Sequence, residues 1–266
     1  ELPFLITLAS HPDRTREGDY IFRNSTTQEQ EGPGLARLVS VCLDAHSVGI
    51  IHLNNDWALA MTDYFKRSVD ALGIEVTAEE DYNPGENVDY TAKLSRLAES
   101  TPDIYWFGSQ YNDLALLLKQ ADRMDMGDKP RVASAGVHST GLLDVAGENA
   151  NGLYLHTLFF PQSEDPTVKN FVESFQAAYD QEPNLFSAQA YDSMHLLANA
   201  IGNGGFTREG TREALLTMKP YEGVGGSISF DPDTREAVGK VYIPLVVKDG
   251  QFTLWQECAD KLAQQQ

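Results

Sequence analysis

The chain has 266 residues, which is enough for one large domain or for two smaller domains that each have a hydrophobic core. Its 20 Lys and Arg residues against 39 Asp and Glu residues give a formal net charge of −19. Binding to nucleic acid through the phosphates requires a basic face, so this charge argues against nucleic acid as a partner and we predict none.

Cys42 and Cys258 are the two cysteines of the chain. They form no C-x-x-C motif, so neither thioredoxin-like chemistry nor a common zinc site is indicated. Two distant cysteines can form one disulfide or remain buried thiols. The residues alone leave both alternatives open.

The first 25 residues predict two short strands, at 4–7 and 20–23, with Ser10, His11 and Pro12 between them. These strands belong to no βαβ unit that begins inside this chain. We therefore expect a lobe whose opening βαβ units lie outside the chain.

Residues 48–155 alternate between apolar runs and helical spacing. Strands are predicted at 48–53, 74–82, 104–107, 131–134 and 153–155, and helices at 57–72, 89–100, 114–124 and 139–146. Asp56 is expected to cap the first of these helices and Gly73 to end it, and a Pro84-Gly85 turn is expected before the helix that Asp89 starts. Such alternation predicts an α/β fold, a parallel sheet covered by helices on both faces.

The second half of the chain predicts more helix than strand. Helices are expected at 166–179, after Asp165 and with Pro166 in the first position, at 187–203, and from the cap Thr207 to about residue 218. Strands are expected near 227–230, 241–248 and 252–255. The helices have too few strands to cover, which again indicates an incomplete lobe.

Three strand-to-helix loops are candidates for a binding site, because ligands of open parallel sheets bind beyond the carboxyl ends of the strands. These loops are Asn54-Asn55-Asp56-Trp57, Gly108-Ser109-Gln110-Tyr111 and Ser134-Ala135-Gly136-Val137-His138. Their rings, amides and hydroxyls suit a small polar molecule with a flat or apolar face. Trp57 and Tyr111 fit packing roles equally well, and His138 is predicted to start a helix rather than to bind.

Motifs for catalysis and for cofactor binding do not occur in the sequence. It contains no GxGxxG after a strand, no phosphate-binding GxxxxGK[ST], no GxSxG and no HExxH. The adjacent Glu79 and Glu80 lie on a predicted strand and point to opposite faces, so they are poor acid–base partners. We predict no catalytic residue, no metal site and no cofactor.

Five stretches in this order resemble the periplasmic solute-binding proteins of the branched-chain amino acid type, a group that also holds amide, urea and aromatic-acid binders of ABC transporters. The stretches are IIHLNNDWALAMTDYFKRSVDALGIEV, DYNPGENVDYTAKLSRL, PDIYWFGSQYNDLALLLKQADRM, NLFSAQAYDSMHLLANAI and YEGVGGSISFDPDTREAVGKVYIPLVVKDGQF. The resemblance implies the type I periplasmic-binding-protein fold, two Rossmann-like lobes of parallel sheet with helices on both faces. It implies an incomplete lobe one at 1–25 and 157–243, and a lobe two at 26–156 and 244–266.

The resemblance also implies the ligand contacts. Ala9, Ser10 and His11 correspond to the loop that binds the polar head of the ligand, and Phe186 corresponds to an aromatic contact of lobe one. Trp57 and either Gln110 or Tyr111 correspond to contacts of lobe two. Ala135 and Gly136 correspond to the loop that carries an acidic residue in amino-acid binders. An alanine at 135 leaves a buried ammonium group without a partner. The resemblance therefore implies a ligand that need not carry one, such as a carboxylate, an amide or an aromatic acid.

The function implied is that of the extracytoplasmic solute-binding component of an ABC importer, periplasmic or extracellular. It would trap a small polar ligand, a carboxylate, an amide, an aromatic acid or an amino acid, between two lobes by hinge closure, with this small-molecule ligand and a membrane permease as partners. The alternative is a ligand-sensing domain of an amide-type regulator or receptor. An enzyme is the third class, and the lack of a nucleophile elbow and of a paired acid and base argues against it. The resemblance places both cysteines in lobe two, which implies a Cys42–Cys258 disulfide. An incomplete lobe could also self-associate through its exposed sheet edge.

Overall fold

The computed structural model describes residues 1–83, 89–124 and 126–265. They divide into two compact units. Unit 1 comprises Glu1–Gln28 and Leu158–Val241, and unit 2 comprises Glu29–Thr157 and Tyr242–Gln266. The lobe boundaries expected after residues 25, 156 and 243 differ from these divisions by three, one and two residues.

The elements are numbered in chain order through the described residues. The strands are β1 Phe4–Ile6, β2 Ile21–Arg23, β3 Ser47–Leu53, β4 Glu75–Tyr82, β5 Ile104–Gly108, β6 Arg131–Ala133, β7 Leu153–Thr157, β8 Tyr221–Gly223, β9 Gly226–Phe230, β10 Ala237–Val238, β11 Ile243–Lys248 and β12 Gln251–Leu254. The helices are α1 Gln28–Leu43, α2 Asp56–Ala71, α3 Thr91–Glu99, α4 Tyr111–Asp122, α5 Thr140–Ala146, α6 Pro166–Tyr179, α7 Leu185–Asn203, α8 Arg208–Thr217 and α9 Gln256–Ala263.

Unit 2 is built on one mostly parallel sheet with the strand order β12-β11-β7-β6-β5-β3-β4. Strands β3 to β7 pair in parallel, and β11 runs antiparallel to both β7 and β12. The central strands β3 and β5 are buried almost throughout, which explains why their sequences are apolar runs without alternation. The predicted α/β class is confirmed.

In the core of unit 2, helices pack against a face of this sheet. Phe65 of α2 stacks on Trp106 of β5, with ring centroids 4.8 Å apart, and both side chains are fully buried. Cys42 at the end of α1 forms a disulfide with Cys258 of α9, and their Cα atoms lie 5.2 Å apart. This separation is within the range that a disulfide can span, so the predicted disulfide is confirmed.

Unit 1 contains two small sheets. Strands β1 and β2 pair in parallel, whereas β8, β9 and β10 form an antiparallel sheet in the order β10-β9-β8. The antiparallel pairing follows from the connection, because a tight turn joins β8 to β9 and leaves no length for a crossover helix. Phe22 of β2 packs edge-on against Phe230 of β9, in a core that also holds Leu196 of α7 and Leu215 of α8.

Several helix starts follow the sequence signals. Asp165 caps α6 through the N–H of Thr167 at 2.7 Å, with Pro166 in the first position, and Thr207 caps α8 through the N–H of Gly210. Gly73 has a φ of +74° just after α2, as a helix stop requires. These predictions are confirmed.

Two helix starts differ from the prediction. Asp56 does not cap α2, because the side chain of the preceding Asn55 accepts the N–H of Ala58 at 2.8 Å and Asp56 is the first helical residue. Helix α3 begins at Thr91, two residues later than expected, and Asp89 accepts the N–H of Thr91 at 2.9 Å. The predicted Pro84-Gly85 turn lies outside the described residues.

Helix α1 lies in a stretch for which the sequence analysis gives no element, and it contains Gly32-Pro33-Gly34, which is typical of a turn. Pro33 nevertheless lies inside a helix of 16 residues. A Cβ on Gly32 would lie 2.8 Å from the Cβ of Tyr64, so the glycine allows α1 to approach α2 closely. None of the helices in the described ranges is long and apolar enough to span a membrane.

Candidate functional site

The loop from Ala9 to His11 follows the carboxyl end of β1 in unit 1. Ala9 and His11 are exposed and Ser10 is half-buried. The backbone carbonyl of Ser10 accepts the N–H of Gln28 at 3.0 Å. The ring Nδ1 of His11 accepts the N–H of Asp13 at 3.3 Å, where it caps the 3-10 helix Pro12–Glu17. The imidazole of His11 therefore has a local structural role.

Arg23 binds the backbone of this loop. Its side chain is fully buried, and its Nη2 donates to the backbone carbonyl of His11 at 2.6 Å. Glu236 is its ion-pair partner at 3.6 Å and also accepts the hydroxyl of Thr15 at 2.6 Å. Burial lowers the pKa of the Arg23 guanidinium and raises the pKa of the Glu236 carboxyl. This network fixes the path of the chain from His11 to Thr15.

Phe186 is the other predicted contact of unit 1. It is the second residue of α7, whose N-cap Asn184 accepts the N–H of Ser187 at 3.0 Å. The ring of Phe186 is half-buried, whereas the neighbouring Leu185 is buried. Its predicted contact with a ligand stays a prediction.

The three predicted loops of unit 2 follow β3, β5 and β6, which are neighbours in the sheet. Their carboxyl ends therefore lie side by side at one edge of the sheet, which we call the carboxyl edge. Trp57, in the first turn of α2, packs against the core while it remains partly exposed. Gln110 is exposed before α4, and the half-buried Tyr111 packs against Gly141, where a Cβ would lie 3.1 Å from Cε2 of the ring.

His138 belongs to the core of unit 2. It lies just before Ser139, the N-cap of α5, and its ring meets Phe252 edge-on with centroids 4.6 Å apart. Its Nδ1 is 3.1 Å from Oγ1 of Thr157. Burial lowers the pKa of His138 to about 4, so the ring is neutral at pH 7 and has a packing role.

Buried hydroxyl groups mark the carboxyl edge. Ser109 follows β5 and Ser134 follows β6, both are fully buried, and neither Oγ has a hydrogen-bond partner among the described residues. Tyr82, at the end of β4, lies beside Ser109, and its hydroxyl likewise lacks a partner of good geometry there. Burial raises the pKa of Tyr82 far above its ordinary value of 10. Buried polar atoms are normally paired, so this edge is suited to bind polar groups from outside the chain.

The loop after β6 contains Ala135 and Gly136 in the 3-10 helix Ala135–Val137. Ala135 is buried, and its backbone N–H donates to Oε1 of Glu31 at 2.8 Å. Glu31 is itself buried and lies in the first turn of α1. Sequence reasoning missed Glu31, because 104 residues separate it from Ala135 and no motif links them.

His156 lies beside Glu31. Its Nε2 is 3.5 Å from Oε1 of Glu31, without hydrogen-bond geometry, and its ring stacks on Tyr242 with centroids 3.8 Å apart and an angle of 6°. His156 was not predicted either. In residues 1–83, 89–124 and 126–265, no group of three His, Cys, Asp or Glu residues is placed to hold a metal ion.

A surface groove of about 640 Å³ runs along α7 and α8 in unit 1. Asn203, Glu213, Lys219 and Tyr221 contribute to its walls. None of the predicted ligand contacts lines this groove, and it does not involve the carboxyl ends of β1 and β2. We assign the candidate site to the strand ends instead.

An α/β unit whose carboxyl edge carries buried, unpaired polar groups is typical of a ligand-binding protein. A family model described as periplasmic binding protein matches residues 2–251. The chain therefore belongs to the periplasmic binding protein family.

Known proteins of similar sequence and structure agree with this assignment. The chain is 24% identical over 224 residues to the leucine-, isoleucine-, valine-, threonine- and alanine-binding protein of Pseudomonas aeruginosa, an alignment that covers 84% of this chain and 59% of that protein. A structure assigned to a branched-chain amino acid ABC transporter of Rhodospirillum rubrum has a TM-score of 0.82 and 31% identity, over 95% of this chain and 72% of that one.

A third structure is the branched-chain amino acid transporter substrate-binding protein LivJ of Streptococcus pneumoniae, in complex with isoleucine. It has a TM-score of 0.85 and 28% identity, over 94% of this chain and 70% of that one. The chain spans about three-fifths of the length of the Pseudomonas aeruginosa relative.

Proposed function

We propose that this protein is the extracytoplasmic solute-binding component of an ABC importer. It holds one small polar ligand, a carboxylate, an amide, an aromatic acid or an amino acid, between two lobes that close about a hinge, and it releases the ligand chemically unchanged. The observation that carries the proposal is the family match, which runs through both units. The likeness to a substrate-binding protein in complex with isoleucine supports it.

The ligand contacts that we propose divide by chemistry. Backbone groups of Ala9 to His11 and the hydroxyl of Ser10 bind the polar head, and the rings of Trp57, Tyr111 and Phe186 cover the apolar part. Gln110, Ala135 and Gly136 complete the site. The ligand drives closure only by the amount that it binds the closed form more tightly than the open form.

The location and the partners follow from this role. A disulfide forms and persists outside the cytoplasm, so the Cys42–Cys258 bond supports a periplasmic or extracellular location. The membrane permease of the importer is the protein partner. We also propose self-association through unit 1, supported by the exposed Phe4 of strand β1 and by the exposed Met194 and Phe206. The mass in size-exclusion chromatography with light scattering tests it.

A ligand screen tests the proposed function directly. The protein in its full natural length is melted in the presence of branched-chain amino acids, aliphatic and aromatic acids, and amides. A ligand at 100 times its Kd adds about 2.7 kcal/mol to the free energy of unfolding, so a binder raises the Tm by several degrees. Calorimetry on the hits then measures the Kd.

Substitutions check that the binding occurs at the proposed site. Trp57→Ala and Tyr111→Ala should each weaken the best ligand at least tenfold, because each removes a covering ring worth about 1.5–3 kcal/mol of apolar contact. The matched control is Phe206→Ala, which removes an aromatic ring that is 83% exposed in unit 1 and should leave the Kd unchanged. Turnover of a hit, or no response to any compound, would contradict the proposal.

A further inference from the structure

Three residues of unit 2 lie together close to the points where the chain passes between the two units. The chain crosses after residues 28, 157 and 241. Glu31 follows the first crossing within one helical turn, His156 comes just before the second, and Tyr242 directly follows the third. The ring of His156 stacks on Tyr242 with centroids 3.8 Å apart, and its Nε2 is 3.5 Å from Oε1 of Glu31. One imidazole therefore contacts all three crossing segments.

The packing around His156 is close. The residue is only 2% exposed. A Cβ on Gly34 of α1 would lie 3.1 Å from Cε1 of the ring, and Pro244 of β11 is the register partner of His156 in the sheet. Gly34 and Pro244 carry no charge, and Tyr242 presents a titratable phenol. A change in the charge of the imidazole therefore acts directly on α1, on the end of β7 and on the start of the third crossing segment.

The charge at this place depends on a proton. Among the described residues, Glu31 is the charged group within ion-pair distance of His156. Its Oε1 accepts the backbone N–H of Ala135, whereas Nε2 of His156 is buried and has no hydrogen-bond partner in the described ranges. A neutral imidazole carries a proton on one nitrogen and a charged imidazole on both. Protonation therefore gives His156 the donor and the positive charge that a buried carboxylate requires.

We infer that Glu31 and His156 form a proton-dependent clamp at the hinge. When the ring is protonated, its Nε2–H donates to the carboxylate and ties α1 to the end of β7, and the charged ring binds more tightly to the face of Tyr242. The ion pair requires a protonated ring and an ionised carboxyl. It therefore forms as the pH falls through the range in which histidines gain a proton, and it is lost where carboxyl groups gain theirs.

The inference rests on the proposed function, because the clamp regulates the hinge closure proposed there. Closure requires changes in the backbone of a few residues at the crossings, and crossing segments that are tied to one another resist such changes. Neither side chain needs to touch a ligand for this effect. The clamp therefore alters the free energy of closure for ligands of every class alike.

Hydrogen exchange followed by mass spectrometry tests the clamp on the ligand-free protein in its full natural length. Exchange is measured at about pH 5.5 and about pH 7.5, on either side of the ordinary histidine transition, and each rate is divided by that of an unfolded chain at the same pH. The variants are His156→Gln, Glu31→Gln and the double variant. His46→Gln is the matched control, since it makes the same change on an exposed histidine of unit 2. The reporting segments are 29–34, 153–157 and 242–245.

In the wild type, corrected exchange in the three segments should be about tenfold slower at the lower pH, which is the stabilisation expected from a hydrogen bond between charged groups. The three variants should lose this difference, because each removes a charge from the pair, whereas His46→Gln should keep it. Glutamine at position 31 can still accept the N–H of Ala135, so that variant removes the charge and retains the hydrogen bond. Exchange in β5 is the internal reference and should respond equally in all proteins.

Equal corrected rates at the two pH values in the wild type would overturn the inference, and this result needs no variant. A wild-type response that persists in His156→Gln or in Glu31→Gln would also overturn it, because the proton then acts elsewhere. These measurements use no ligand, so their outcome is separate from that of the ligand screen. A screen without a binder rejects the proposed function, whereas an absent pH response rejects the clamp.

Discussion

Buried polar residues in this chain divide into those that the fold satisfies and those that it leaves open. In unit 1, the fully buried Asp192 accepts the N–H groups of Val224 and Gly225 at 2.9 and 2.8 Å. In unit 2, Ser109 and Ser134 have no such partners among the described residues. The first kind holds a turn in place, and the second kind is what a binding site requires. Burial alone therefore does not identify a functional residue.

His138 is of the satisfied kind, and its burial predicts a pH dependence. Its pKa in the folded protein is about 4, below the ordinary value of 6.5. Between these values the unfolded chain binds a proton that the folded chain does not, so the free energy of unfolding falls as the pH drops from 6.5 to 4. The fall assigned to this residue is about 3 kcal/mol, at about 1.4 kcal/mol per pKa unit.

Urea unfolding at pH 7 and pH 4.5 measures this effect. His138→Gln should lose about 2–3 kcal/mol less than the wild type between the two conditions, because glutamine does not titrate. Other groups titrate equally in both proteins and cancel in the comparison. The same pH dependence in wild type and variant would show that His138 is accessible to protons in the folded state.

At the scale of elements, the sequence predicts those whose signal is local. The strand β3 and the helix α2 follow from an apolar run and from helical spacing, and both were predicted within two residues. Helix α1 could not be predicted, because Gly32 and Pro33 favour a turn and only packing against Tyr64 explains the glycine. The loops of the candidate site were predictable as strand ends, whereas Glu31 reaches that site only through the tertiary fold.

The turn between β8 and β9 leaves no room for a side chain at Gly223. A Cβ on Gly223 would lie 2.5 Å from Oδ1 of Asp192, the oxygen that binds the N–H of Val224. Gly223→Ala must displace this buried carboxylate, so it should lower the free energy of unfolding by about 3 kcal/mol. Gly202→Ala on α7 is the control: a Cβ there meets nothing within 4 Å, and the change should stabilise the helix by up to about 1 kcal/mol.

Urea denaturation of the two glycine variants decides between packing and chain flexibility. If flexibility alone mattered, both alanines would stabilise the protein. The packing argument requires opposite signs. Neutral surface substitutions change the free energy of unfolding by up to roughly 0.5 kcal/mol. A free energy of unfolding for Gly223→Ala within about this range of the wild type would show that the turn adapts without cost.

At the scale of the whole molecule, the chain leaves unit 2 and returns to it. Unit 2 contains residues from both sides of the second segment of unit 1 in the sequence, and the helices α1 and α9 come from its two separate segments. The disulfide between Cys42 and Cys258 joins these helices across a sequence separation of 216 residues. It therefore closes a loop that includes the whole second segment of unit 1.

A loop of this length predicts a large stabilisation, because the bond restricts the unfolded chain. The chain-entropy relation gives an upper value of about 5 kcal/mol, and native disulfides typically contribute about 2–5 kcal/mol. Urea unfolding with and without dithiothreitol should show a loss in this range for the wild type. The double variant Cys42→Ala/Cys258→Ala should have about the stability of the reduced wild type in both conditions, and it should not respond to the reductant. A wild-type midpoint that reduction does not move would mean that the packing of α9 on the core, rather than the bond, holds the two segments together.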